Sequence, residues 1–362
     1  MFIRIKQIFT LLVIFAAFIL CAAEYNAIVL GDIHFDALSY HCTPDGKPQV
    51  RINQGYIDMW KKQAPAMLSY ADKLITPETA FVIQAGDFTQ GDAISPEQQA
   101  KMLADAFIKV KSFFPKHRLL PVKGNHDVRY YLPHVNDGKT IYQRCNSGVP
   151  AAKAFLPLVA KELGRESVSG NYYVTYDNDL YIFYDSTIKN STSLKFLRDA
   201  LKTHPNVRHV FFITHLPVFA CSTGTPGWRV PGADKIAKML FERNAIIITA
   251  HTHNPSLIKV SNGKNTLTQL VVSSIAYQWN RGKSTSLRAA DFAGFLKLIS
   301  PQKLQEKKNA TAIKDLQALK INLFEMYSNA TGITVLKVNN NKISVEIHTD
   351  TSGKPALVKQ LK

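Results

Sequence analysis

Leu119-Leu120-Pro121-Val122-Lys123-Gly124-Asn125-His126-Asp127 is the stretch that decides how this chain is read. A short apolar run with the composition of a buried strand passes directly into Gly-Asn-His-Asp. The last three of those side chains are a carboxamide, an imidazole and a carboxylate. Working outward, the same juxtaposition recurs four times. Residues 27–30 precede Asp32-x-His34, 81–84 precede Gly86-Asp87, 210–214 precede His215, and 245–249 precede His251-x-His253. Ligand sites of open α/β sheets lie just beyond the carboxyl ends of strands, so five separated clusters can converge on one rim. Oxygen and imidazole donors of this kind hold hard or borderline divalent ions. Two such ions side by side are a device for in-line attack on phosphorus.

The rest of the chain is consistent with an ordinary globular enzyme. Its 362 residues suffice for one large domain or two small ones, and 46% hydrophobic with 20% charged residues can bury a sizeable core. The first 23 residues read differently. Arg4 and Lys6 precede an apolar stretch over 11–23 that ends Cys21-Ala22-Ala23. A basic start, a short apolar run and small residues at its end predict a cleaved secretory signal peptide. The run is shorter than the roughly 20 residues a membrane span requires, so no stable span is expected after cleavage. The mature chain is then 24–362, exported to a periplasmic or extracellular compartment. Cys42, Cys145 and Cys221 remain there, enough for one disulfide, with a weak preference for Cys42 and Cys145. Formal net charge is +17, and +15 once Arg4 and Lys6 are removed. That balance fits a solvated basic surface or attraction of anionic substrates. No dense Lys/Arg run interleaved with aromatics is present, so no nucleic-acid partner is expected.

Helical patterns alternate with the strands. Ser95-Pro96-Glu97-Gln98 is an N-cap with Pro at the first helical position. Further helices are expected over 63–74, 151–163 with a kink at Pro157, 194–202 and 234–243. Residues 172–176 and 180–184 flank Asp177-Asn178-Asp179 as a β-hairpin, and 332–350 forms a second around Asn339-Asn340-Asn341. Both hairpins are expected to extend a second sheet. Residues 281–329 are basic and helical in pattern, an insertion or cap without metal-type clusters.

Five clusters in this order, each after a strand, resemble the calcineurin-like metallophosphoesterase superfamily over about residues 25–253. The resemblance implies an α/β fold, a four-layer αββα sandwich of two mixed sheets flanked by helices. It also implies two divalent ions (Zn, Mn, Fe or Co) and a bridging hydroxide that attacks phosphorus. Asp32, His34 and His253 are expected at one ion, Asn125, His215 and His251 at the other, and Asp87 between them. His126 resembles the family's non-ligand histidine beside the leaving group, with Asp127 orienting it. Arg129 could contact the substrate phosphate, as could Asn125. Asp36 extends the first motif to Asp-x-His-x-Asp, although a loop-capping role fits it better. His41, Tyr130, Tyr131, His134, Trp228 and Trp279 lie in stretches that could rim the pocket or merely pack in loops.

Departures narrow the branch. Ala250 stands where the family usually has Gly before His-x-His, which excludes a left-handed backbone there. The segment after Gly86-Asp87 lacks the tyrosine of purple acid phosphatases and the Asp-Arg-Gly of Ser/Thr protein phosphatases. Too few residues follow His253 for the large substrate domain of exported 5′-nucleotidases. The exported form and the Asp-x-His-x-Asp start are similar, thinly, to sphingomyelinase-like phosphodiesterases, although their additional cysteine-rich parts are missing. The expectation is therefore a metal-dependent hydrolase of small phosphoric esters, a phosphodiesterase before a phosphomonoesterase acting on nucleotides or phosphoproteins. A basic envelope-binding protein is the remote alternative. Asn190, Asn309 and Asn329 each begin an Asn-x-Thr triplet that glycosylation would use.

Overall fold

A computed structural model describes residues 24–43, 45–47, 50–137, 139–275, 286–328 and 331–362. The expected signal peptide, Trp279, the start of the 281–329 segment and Asn329 lie outside them. In chain order the strands are β1 (Tyr25–Leu30), β2 (Thr79–Gln84), β3 (Leu119–Pro121), β4 (Arg129–Asn136), β5 (Lys139–Asn146), β6 (Tyr172–Tyr176), β7 (Asp179–Tyr184), β8 (His209–Thr214), β9 (Ile246–Thr249), β10 (Ser256–Ser261), β11 (Thr266–Val271), β12 (Leu287–Ala289), β13 (Lys320–Tyr327), β14 (Ile333–Asn339), β15 (Lys342–His348) and β16 (Leu357–Gln360). The helices are α1 (Gln54–Lys73), α2 (Pro96–Lys111), α3 (Val149–Ala154), α4 (Leu156–Glu162), α5 (Asn190–Thr203), α6 (Ala233–Phe241), α7 (Phe292–Lys297), α8 (Pro301–Gln305) and α9 (Lys307–Gln317).

One sheet runs β16-β15-β14-β1-β2-β3 and the other β12-β13-β10-β11-β9-β8-β7-β6. Both are mixed: β1, β2 and β3 are parallel while β14 pairs antiparallel with β1, and β7, β8 and β9 are parallel while β6 and β10 run against their neighbours. The alternation of strand side chains fixes the layers. Tyr181 and Phe183 of β7 enter a core shared with Ile28, Val82 and Val335 of the first sheet, and with Leu68 of α1 and Phe107 of α2. Leu180, Ile182 and Tyr184, from the same strand, face Leu197 of α5, Ile236 of α6 and Ile313 of α9. Helix, sheet, sheet, helix is the expected four-layer αββα order. No helix among the described residues is long and apolar enough to cross a membrane.

Local expectations hold where the signal was local. The Ser95 side chain accepts a hydrogen bond from the Gln98 N–H at 3.2 Å. The 151–163 pattern divides at Phe155 into α3 and α4, because Pro157 can occupy the first turn of a helix but not its interior. Three readings change. The 172–184 hairpin does end the second sheet, but the 333–348 hairpin extends the first, beside β1. Within 281–329, Lys320–Tyr327 is a strand of the second sheet, between β10 and the short edge strand Leu287–Ala289, its period-two pattern overriding the helical composition around it. Residues 129–146, expected as loop, form the separate β4–β5 hairpin. Cys42, Cys145 and Cys221 are free thiols, with the Cys42 thiol donating to the Leu38 carbonyl at 3.3 Å, so the Cys42–Cys145 pairing is absent.

Candidate metal centre

Glycines at three of the strand ends let the turns approach one another. A Cβ on Gly31 would lie 2.2 Å from the Ser273 carbonyl oxygen, and one on Gly86 would lie 2.5 Å from the His215 ring. A Cβ on Gly124 would lie 2.1 Å from Asp87 Oδ1, so Gly124 admits the carboxylate that the next turn must meet. The candidate ligands themselves carry backbone strain. His34, Asp87, His251 and His253 all have positive φ, between 48° and 69°. Non-glycine residues enter that region at a cost that surrounding structure must impose, and such residues cluster at functional sites. Ala250 stays out of it, as its side chain requires.

The turns bring the predicted side chains together in overlapping groups. Asp32, His34 and His253 converge, as do Asp87, His215 and His251, and Asp87 also meets His34 and His126. His215 Nε2 is 3.2 Å from Asp87 Oδ2, 3.2 Å from Asn125 Oδ1 and 3.1 Å from His251 Nδ1. Asp32 Oδ1 is 4.0 Å from His34 Nε2 and 3.9 Å from His253 Nε2. The two Asp32 separations are too long for hydrogen bonds and suit a cation between the atoms. Asp32 Oδ1, both ring nitrogens of His34 and His251 Nε2 are buried without a hydrogen-bond partner. Buried polar groups left bare are costly, so a group of atoms orphaned together is built for something else. Nitrogen and oxygen donors without a thiolate fit divalent metal ions of the Zn, Mn, Fe or Co kind.

Charge tells the same story. Burial raises the Asp32 carboxyl above its ordinary range and holds His34 and His251 well below theirs, which keeps both rings in the neutral, metal-ligating form. Burial would raise Asp87 as well, but His215 and His126 overcome it and hold that carboxylate well below its usual range. His215 itself is pushed down by burial and pulled up to about 9 by Asp87. Asp87 is thus the one acid here that already has its countercharge.

The family model of the calcineurin-like phosphoesterases matches residues 25–255, most of the chain and all of these ligands. The chain belongs to that family. No curated protein matches the sequence. Among solved structures, a purple acid phosphatase from yellow lupin (Lupinus luteus) seeds is similar with a TM-score of 0.55 and 11% identity, over 93% of this chain and 53% of that one. This chain therefore spans about half the length of the lupin protein. A dimetal phosphatase from Danio rerio has a TM-score of 0.50 and 10% identity, over 93% of this chain and 98% of that one. At such identities the likeness is one of fold.

In this phosphoesterase, Asp127 does not orient His126. Asp127 Oδ2 accepts from the Phe88 N–H at 3.1 Å and the Gly124 N–H at 2.8 Å, while Oδ1 accepts from the Thr89 N–H at 2.8 Å and hydroxyl at 3.1 Å. It staples the Gly-Asn-His-Asp turn to the Gly-Asp turn. Its carboxyl is raised to about 6 by burial and by Asp87, against the lowering effect of those backbone donors. His126 is oriented instead by the Gln90 carbonyl, 2.7 Å from Nδ1, and by contact with the Arg129 guanidinium. Burial pushes His126 down to about 4, with Asp87 raising it and Arg129 adding to the depression. The His126 N–H donates to Asp87 Oδ1 at 2.8 Å, which fixes the other end of that carboxylate.

The secondary candidates divide. Asp36 is tied to the Ala37 N–H and to His41 Nε2, at 2.9 and 2.7 Å, so it caps the loop. His41 is buried against it and is not at a rim. Tyr130 is buried, and Tyr131 and His134 sit on the β4–β5 hairpin. Arg129 and Trp228 do line a cavity of about 430 Å³ that opens beside Asn125 and His251. Arg144, Arg229 and Lys308 line it too, and the sequence carries no local signal for them. They come from a hairpin, a loop and α9, which only the tertiary fold makes neighbours.

Proposed function

We propose that this phosphoesterase hydrolyses small phosphoric esters at a dinuclear centre, diesters in preference to monoesters. The observation that carries the reading is the placement of Asp87 in two ligand groups at once, which is the position of a bridging carboxylate. Asp32, His34 and His253 would hold one ion, and Asn125, His215 and His251 the other. Bound divalent ions supply positive charge against the phosphoryl oxygens and make water a stronger acid. The protein's own residues do the rest. Asn125 presents its side-chain oxygen from the turn that Asp127 anchors. His126 has its Nδ1–H engaged by the Gln90 carbonyl, so its Nε2 could give a proton to the leaving oxygen only from the imidazolium form. The cavity beside Asn125 and His251 is about 430 Å³ and is lined by Arg129, Arg144, Trp228 and Arg229 as well. That volume leaves room for substituents on two oxygens of one phosphorus, which supports the diester reading.

The reading also includes export of the chain through residues 1–23 and a single catalytic domain over 24–362, with the helices of 292–317 acting as its cap. Side-by-side assay of bis(4-nitrophenyl) phosphate and 4-nitrophenyl phosphate with the Mn-loaded protein tests the preference. A higher kcat/KM for the diester is expected. A higher value for the monoester would make the chain a phosphomonoesterase, and hydrolysis of neither would reject the reading.

A further inference from the structure

The cavity beside the centre carries more positive charge than a single phosphoryl group calls for. Arg129, Arg144, Arg229 and Lys308 all line it, and none of its lining residues is a carboxylate. The arginines are partly neutralised from behind. Arg129 and Arg144 share Asp92, at 3.8 and 3.1 Å, and Arg229 holds Asp315 at 2.7 Å. No carboxylate among the described residues pairs with Lys308, which is exposed. Next to them Trp228 is half-exposed, its ring 5.2 Å from that of His251.

This corner is constructed rather than incidental. The Gly227 N–H donates to Asn309 Oδ1 at 2.8 Å, and Asn309 Nδ2 donates to the Lys303 carbonyl and to Glu306, both at 2.9 Å. A Cβ on Gly227 would lie 2.6 Å from Lys308 Cγ. The loop bearing Trp228 and Arg229 is thereby pinned to the first turn of α9, which bears Lys308. Asn309 is consequently buried with its amide fully engaged, which removes it as a glycan acceptor in the folded chain. A cavity of about 430 Å³ has the size of a small-ligand pocket, so one small ligand can touch several of these side chains.

We propose that Arg229 and Lys308 form a subsite for a second phosphate of the substrate, with a flat ring of the same molecule on the open face of Trp228. The preferred substrate is then a nucleotide whose scissile phosphorus is joined through one oxygen to a further phosphate. The inference rests on the phosphoester hydrolase reading and names its substrate class. Arginine and lysine are the side chains that bind phosphate, and an exposed indole stacks on a base without reading its identity. The reaction balances as hydrolysis. The oxygen of water joins phosphorus, the bridging oxygen leaves with the bonding electrons, and it takes up a proton.

The test uses the full Mn-loaded protein with adenosine diphosphate and bis(4-nitrophenyl) phosphate, and measures binding of inorganic pyrophosphate by calorimetry. The ratio of kcat/KM for the nucleotide over the aryl ester should fall about tenfold to hundredfold in Lys308→Ala, the worth of one charge-assisted hydrogen bond. It should fall further in Lys308→Glu and be kept in Lys308→Arg, with the loss in KM. Pyrophosphate binding should weaken in parallel. Trp228→Ala should weaken the nucleotide more than pyrophosphate. A Lys308→Glu ratio within about twofold of wild type overturns the subsite, and equal losses for both ligands in Trp228→Ala overturn the ring placement. Wild-type protein that turns over the aryl ester without preferring the nucleotide refutes the subsite alone. Protein that turns over neither refutes the phosphoesterase reading beneath it.

Discussion

Replacing Asp127 with Asn separates two accounts of the same residue. Each carboxylate oxygen accepts two hydrogen bonds, three of the four from backbone N–H groups that cannot turn away. An amide keeps one oxygen and puts an N–H₂ where the other stood, so two donors lose their acceptor and face another donor. A buried unsatisfied donor costs about 1–3 kcal/mol, which places Asp127→Asn at about 2–5 kcal/mol. Unfolding entropy of about 2.1 cal/mol/K per residue over the 339 residues from Glu24 to Lys362 is about 0.7 kcal/mol per kelvin. Tm should therefore fall by about 3–7 °C. The Gly-Asp turn and the Gly-Asn-His-Asp turn would also separate, so Asp87 and Asn125 would lose their common focus and metal content should fall with Tm. Differential scanning calorimetry and metal analysis of the purified variant measure both. Unchanged Tm and full metal content with a depressed kcat would refute the staple and return Asp127 to the role of support for His126.

Chelation should abolish hydrolysis, with recovery on addition of Mn or Zn, and Asp87→Ala should lose turnover and metal loading together. Wild-type rates in Asp87→Ala would eliminate the dinuclear reading. His126→Ala should depress kcat while metal content, measured by atomic emission, stays at the wild-type level; loss of metal would make His126 a ligand. Lys123 and Asp185 form a buried pair at 2.9 Å, in contact but without an aligned hydrogen bond at Asp185 Oδ2. Removing one partner strands the other charge, so Lys123→Met should cost about 3–5 kcal/mol, and Lys123→Met/Asp185→Leu should recover most of it. Urea unfolding measures this, and a single variant within about 1 kcal/mol of wild type would show that the pair is solvated.

The chemistry at the strand ends is legible in the amino-acid sequence. A buried parallel strand announces itself through contiguous apolar residues, and its carboxyl end is where a ligand site belongs. Asp32, His34, Asp87, Asn125, His215, His251 and His253 could therefore be found as neighbours from five separate stretches. The Ser95 cap and the break at Pro157 were legible for the same reason, since their causes lie within a few residues. Other features depend on contacts between distant segments, which no local stretch carries. Asp127 lies beside His126 in the chain, yet its carboxylate is claimed by donors from residues 88, 89 and 124, and no local pattern encodes that. Arg144, Arg229 and Lys308 are ordinary basic residues until a hairpin, a loop and α9 bring them to one cavity. Candidate metal ligands are legible because their chemistry is rare in a strand-end pattern. Substrate contacts are not, because they are common side chains made specific by where the fold puts them.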